Sequence, residues 1–147
     1  MEAPPLRYLW FFLILLLALA ADFGGLLAAL FLGMAFIPAL FYLNWFRNFE
    51  KHDPEPWGAL YQAFFWGAIT GIIAAGIINS IFIVFVMLAA GVVVAEIVGA
   101  IIIAPFVEEF LKPVGIVRGG VRKEVDEVED GLIYGAACGL GFAATEN

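Results

Sequence analysis

The chain has 147 residues, of which 64% are hydrophobic and 14% charged, and its mean hydropathy is +1.01. Soluble domains average about 45–50% apolar and about 25% charged residues, so this composition excludes an ordinary soluble domain. It predicts an all-α, polytopic helix bundle in a membrane, built as one domain over residues 1–147. The formal net charge is -7, and the sequence lacks the basic patch that nucleic-acid binding requires, so no nucleic-acid partner is expected.

The first two spans follow from apolar runs that are long enough to cross a bilayer. Residues 6–21 are nearly all apolar and form the first predicted span, and a turn is expected at Asp22. Residues 26–46 form the second predicted span, with a kink at Pro38 because proline removes a helical donor.

Residues 58–107 form an apolar run of about fifty residues, and a single helix of that length is far longer than a bilayer is thick. The run therefore predicts two spans, with the break placed between Asn79 and Gly91. We interpret Asn79 and Ser80 as a helix end.

Glycine spacing predicts where helices approach closely. Gly67 and Gly71 form a small-xxx-small step suited to packing against another helix. Gly131 opens the last predicted span, and Gly131, Gly135 and Gly139 repeat every four residues. We expect this bare face to pack against a neighbouring helix rather than to pass substrate. Five transmembrane helices result in total.

Basic residues orient these spans in the membrane. With five spans, all six loop cations fall on one side: Arg7, Arg47, Lys51, Arg118, Arg122 and Lys123. The positive-inside rule makes that side cytoplasmic. We therefore expect an integral membrane protein whose partner is the lipid bilayer and whose N-terminus is cytoplasmic.

The segment 104–113 holds two glutamates and a lysine inside an apolar run. Ionisable groups at membrane depth are costly and mark functional sites. On a helix, Lys112 lies four residues from Glu108 and three from Glu109, so it can pair with either carboxylate while the other faces a cavity. On residue chemistry alone, a protease and a proton-coupled transporter are equally compatible, since both use such carboxylates.

Three blocks of sequence resemble the PrsW family of intramembrane proteases. Asp53-Pro54-Glu55-Pro56 is similar to an Asp…Glu-Pro loop of that family, and Glu108-Glu109-Phe110-Leu111-Lys112 to its Glu-Glu-x-x-Lys motif. The third block, from Asp130 to Asn147, ends in Gly-Phe-Ala-Ala-Thr-Glu-Asn. The three blocks occur in order across residues 42–147.

The resemblance implies a fold related to the CAAX prenyl endopeptidases and hydrolysis of a peptide bond in a membrane-anchored protein, with anti-sigma factors as one substrate class. It implies that Glu108 and Glu109 activate the attacking water and that Lys112 orients one of them. Glu146 and Asn147 would line the opposite wall, as ligands or transition-state stabilisers. A zinc cofactor, with Glu109 and Glu146 as ligands, is a further expectation. A catalytically inactive scaffold or binding protein of the same fold is the alternative, with the transporter third.

The family pattern also contains a histidine on a later helix, so we expect the chain to be incomplete at its C-terminus. His52 is interpreted as a surface residue rather than as a ligand. A catalytic zinc usually takes three protein ligands, and the glutamates alone make a poor zinc site. A metallo-type and a glutamate-type peptidase both stay open.

Other polar residues have simpler interpretations. We expect Glu96 to be solvated, Cys138 to be a packing residue, and Asp130 to cap the last helix within a charged loop, 118–130. Glu109 and Glu146 differ in predicted depth. They meet only if the helices tilt or if the last helix begins inside the acidic run of that loop.

Overall fold

The computed structural model describes residue 14 and residues 25–48, 54–117 and 120–146, and every regular element in them is helical. The α-helices are α1 (Leu26–Arg47), α2 (Trp57–Phe65), α3 (Ile72–Ala90), α4 (Val92–Val98), α5 (Ala104–Val114), α6 (Val121–Glu124) and α7 (Val128–Glu146). Two π-helices, Trp66–Gly71 and Gly99–Ile103, join α2 to α3 and α4 to α5. The all-α prediction is confirmed.

Two helices in the described part of the chain are long and apolar enough to cross a membrane by length and composition. They are Leu30–Arg47 within α1 and the continuous stretch Trp57–Ala90, which has 34 residues. At about 1.5 Å per residue the second exceeds the roughly 30 Å hydrocarbon core. The five-span arrangement stays a prediction, and the expected first span and the turn at Asp22 lie outside the described residues.

A hairpin at Gly91 separates α3 from α4. Gly91 has a φ of 87°, which favours glycine, and its N–H donates to the Met87 carbonyl oxygen at 2.9 Å. The predicted break between Asn79 and Gly91 is therefore confirmed, at its last residue. The helix end at Asn79 and Ser80 is wrong, because the Ser80 hydroxyl donates to the Gly76 carbonyl at 2.7 Å and α3 continues.

Helix α7 lies at the centre of the bundle and packs against α1, α2 and the first π-helix. Its inward face carries Ile133, Tyr134 and Ala137, all buried. Residues from α1, α2 and α6 complete the core: Phe36, Ala39, Leu43, Trp57, Ala59, Leu60, Tyr61, Ala63, Phe64 and Val121. The α3–α4 hairpin is largely exposed, as expected of helices that face lipid.

Close helix approach occurs at Gly67 and Gly141. A methyl group added at Gly67 would overlap the main-chain carbonyl of Cys138, and one at Gly141 would overlap that of Phe64. The predicted role of Gly67 is confirmed. The prediction that the glycine face through Gly131, Gly135 and Gly139 packs closely against another helix is wrong. An added Cβ at Gly131 or at Gly139 would meet nothing within 4 Å. The buried side chains of α7 lie on the other face of the helix, which packs into the bundle.

Prolines shape α5 and leave α1 unbroken. Each proline lacks a backbone N–H; the second π-helix ends two residues before Pro105, and α5 ends one residue after Pro113. Pro38 lies inside α1, which continues through it.

The charged segment before α7 is more ordered than a loop. It contains the short helix α6, and α7 begins at Val128 inside the acidic run. Asp130 is therefore not the residue before the last helix, and its predicted capping position is wrong. Its carboxylate still accepts the main-chain N–H groups of Asp126 at 3.0 Å and Glu127 at 2.8 Å.

Candidate functional site

Lys112 on α5 pairs with Glu109, so the structure decides between the two glutamates that the spacing left open. The Lys112 Nζ lies 2.6 Å from Glu109 Oε1, and the side chains are 27% and 72% exposed respectively. Charged groups at membrane depth face water or protein rather than hydrocarbon, because hydrocarbon does not solvate them. The Glu109 side chain is exposed, so in a membrane it would need contact with water or protein.

Glu108 is half-buried and lies within electrostatic range of Glu146 at the end of α7, as well as of Lys112 and Glu109. Helix α7 begins inside the acidic run, which is one of the two geometries expected to bring the helices together. The structure thus brings together Glu108, Glu109, Lys112 and Glu146. Their roles in chemistry stay predictions, and Asn147 lies outside the described residues.

Two side chains tie the C-terminal turn of α5 to its neighbours. The Gly115 N–H donates to Lys112 O at 3.2 Å, and the Leu111 carbonyl accepts the indole N–H of Trp66 at 3.0 Å. The buried Cys138 thiol, predicted to be a packing residue, also lies at Lys112 O, at 3.2 Å. The first π-helix and α7 therefore fix the turn that carries Lys112.

Three residues at the site were missed by sequence reasoning: Trp66, Phe142 and Thr145. The Phe142 ring centroid lies 5.1 Å from Lys112 Nζ, and the Thr145 hydroxyl donates to Ala68 O at 2.9 Å. Phe142 and Thr145 belong to the third block, and Phe142 precedes Glu146 by one helical turn, which is the signal that sequence reasoning missed. Nothing in the sequence marks Trp66.

A second polar cluster joins the start of α2 to the start of α7, away from the carboxylates of α5. The buried Tyr134 hydroxyl donates to Glu55 Oε2, and the Glu55 carboxyl reaches the Asp130 carboxylate. Glu55 and Asp130 border a polar cavity of about 200 Å³. Arg47 Nε donates to Glu55 O at 2.8 Å, so Arg47 is a buried helix-end residue rather than the predicted loop cation.

The described part of the chain offers few grouped donors for a metal ion. In residue 14 and residues 25–48, 54–117 and 120–146, no three His, Cys, Asp or Glu side chains form a group that can hold a metal ion. Glu109, a predicted ligand, is engaged by Lys112. These residues on their own therefore do not fit a three-ligand zinc site. His52, like Asn147, lies outside them.

Fold and site together define an all-helical membrane protein with a carboxylate-rich cluster on two adjacent helices. The family model of the PrsW family intramembrane metalloproteases matches residues 55–147. Protease PrsW of Geobacillus kaustophilus (strain HTA426) is 30% identical over 112 residues, which cover 75% of this chain and 47% of that relative. No solved structure matches the chain.

The chain therefore belongs to the PrsW family of intramembrane proteases. It spans about half the length of the curated relative that it matches. The site helices α5 and α7 both fall inside the matched residues, as does the cluster around Glu55.

Proposed function

We propose that this chain carries the carboxylate centre of a peptidase that hydrolyses a peptide bond of a membrane-anchored protein. One observation supports this most directly: Glu108 on α5 lies within electrostatic range of Glu146 on α7, while the Lys112 ammonium pairs with Glu109. A carboxylate that is not held by the neighbouring lysine is available to take a proton from water.

In the proposed reaction, the Glu108 carboxylate accepts a proton from water as the water oxygen attacks the scissile carbonyl carbon. The same proton then passes to the amide nitrogen as the C–N bond breaks, which leaves a carboxyl group and an amine. In this scheme Glu146 orients the water or the developing oxyanion, and the resemblance of the third block implies the same role for Asn147. A zinc ion here would need donors from outside the described residues.

Lys112 and Glu109 act in this scheme as a pair. The ammonium holds the Glu109 carboxylate in one orientation, and the pair borders the cleft in which the peptide bond is held. The proposed arrangement in the membrane has five spans with a cytoplasmic N-terminus. Single-span anti-sigma factors are the proposed substrate class, by the resemblance of the three sequence blocks.

The test is cleavage of tagged single-span anti-sigma factors co-expressed with the full-length natural protein. Glu108→Gln should lower the rate of cleavage by about 100-fold or more, because a general acid–base group contributes at least that much. Glu109→Gln should also lower it, because Lys112 is then free to pair with Glu108.

Glu96→Gln is the matched control, since Glu96 is an exposed glutamate on α4. Equal protein levels of all forms must accompany the comparison. Cleavage by Glu108→Gln at the wild-type rate would end the catalytic assignment.

A further inference from the structure

We propose that Phe142 is a positioning residue of this site: the face of its ring holds the Lys112 ammonium against Glu109 and so keeps Glu108 free to face Glu146. The inference rests on the proposed function. Helix α7 would then contribute to the site in two ways, through the Glu146 carboxylate and by holding Lys112 on α5 in place.

The geometry of the contact is that of a cation–π interaction. Lys112 Nζ lies 5.1 Å from the Phe142 ring centroid, inside the range of about 6 Å within which a ring attracts an ammonium. The same Nζ atom lies 2.6 Å from Glu109 Oε1. The ammonium is thus held between a carboxylate on its own helix and a ring on the neighbouring helix.

The ring itself is fixed in place. Phe142 is 4% exposed, and a Cβ added at Gly71 would lie 3.5 Å from its Cδ2 atom. The absence of a side chain at Gly71 lets the ring rest against the first π-helix. A ring that is buried and packed in this way presents one face to Lys112.

Lys112 needs such a constraint because its own helix offers two equivalent partners. Glu108 at four residues and Glu109 at three are both within reach of a flexible lysine stem. Pairing with Glu108 would occupy the carboxylate that faces Glu146. The Phe142 ring on α7 attracts the ammonium at a position where the ammonium also pairs with Glu109. Pairing of Lys112 with Glu109 is therefore favoured over pairing with Glu108.

A fluorination series tests this in the full-length protein. Phe142 is replaced in turn by 4-fluoro-, 3,5-difluoro- and 3,4,5-trifluorophenylalanine, because each fluorine weakens the negative face of the ring at nearly constant shape. Cleavage of a tagged single-span reporter is measured in proteoliposomes. We expect kcat to fall stepwise to about one-tenth with KM unchanged, in line with the strength of such contacts.

The same series at Phe64 is the control, since Phe64 is a fully buried ring on α2 that packs edge-on against Phe36. A stepwise decline confined to position 142 supports the proposal. A flat series at 142, or an equal decline at both positions, overturns it and leaves the proposed function standing. A wild-type protein that cleaves none of the single-span reporters would overturn the proposed function itself, and this inference with it.

Discussion

The position of the Lys112 ammonium depends on its neighbours, because a lysine is a point charge on a flexible stem. Its ammonium has Glu109 on one side and the Phe142 ring on the other. Its main-chain carbonyl accepts the Gly115 N–H and contacts the Cys138 thiol. Helix spacing shows which residues Lys112 can reach, but the neighbouring helix determines which one it pairs with.

Asp130 is a buried charged residue at the N-terminal end of α7. Burial raises the pKa of its carboxyl, but the Glu127 N–H, the Glu55 carboxyl and the Asp126 N–H outweigh this and hold the pKa below its usual range. A group with a lower pKa in the folded state stabilises the fold above its ordinary pKa, and this stabilisation is lost as the pH falls through the folded value.

Asp130→Asn should therefore melt at a lower temperature than wild type at pH 7, with the gap closing below about pH 4. Thermal unfolding in detergent micelles across this pH range measures the difference. Asparagine keeps an oxygen acceptor, so the comparison isolates the charge. A gap that stayed constant from neutral to acid pH would contradict this account of Asp130.

At the scale of elements, α7 meets both α2 and the first π-helix backbone to backbone. Gly67 lies against Cys138, and Gly141 lies against Phe64. A four-residue glycine repeat shows that a helix has a bare face, but it does not show which face is buried. On α7 the buried Tyr134 and the other large side chains decide this, so the stripe through Gly139 stays open.

Gly67→Ala and Gly141→Ala should each lower the free energy of unfolding by about 1–3 kcal/mol, because overpacking forces the two backbones apart. Gly139→Ala on the same helix is the control, and it should be neutral or stabilising by up to about 1 kcal/mol through helix propensity. Thermal melting of the three variants in one detergent provides the measurement. Equal destabilisation by all three would show that the close contacts are not where the structure has them.

The sequence predicts one of the two π-helices better than the other. Pro105 signals irregularity because it lacks an N–H, and the π-helix Gly99–Ile103 lies just before it. Trp66–Gly71 contains no proline and no polar break, and its irregularity accompanies tertiary contacts from Trp66 to Leu111 and from Thr145 to Ala68. Such contacts are made by residues distant in sequence, so local patterns do not reveal them.

At the scale of the whole molecule, composition and hydropathy predict the helical class. The length limit of a bilayer predicts a break between Asn79 and Gly91, and the structure places it at Gly91. The motif spacing also places Glu108, Glu109 and Lys112 on one helix. The approach of Glu146 depends on α7 beginning at Val128, inside an acidic segment that sequence reasoning assigned to a loop. Buried hydrogen bonds of Asp130 and Tyr134 accompany that early start, and local charge does not predict them.

We propose that Glu108 and Glu146 work as one unit on two helices. This is tested by the kcat of reporter cleavage for Glu108→Gln, Glu146→Gln and the double variant in proteoliposomes. Each single change should lower kcat by about 100-fold or more, and the double variant should be no slower than the slower single one. Single variants that retain the wild-type rate, or losses that multiply in the double variant, would contradict it.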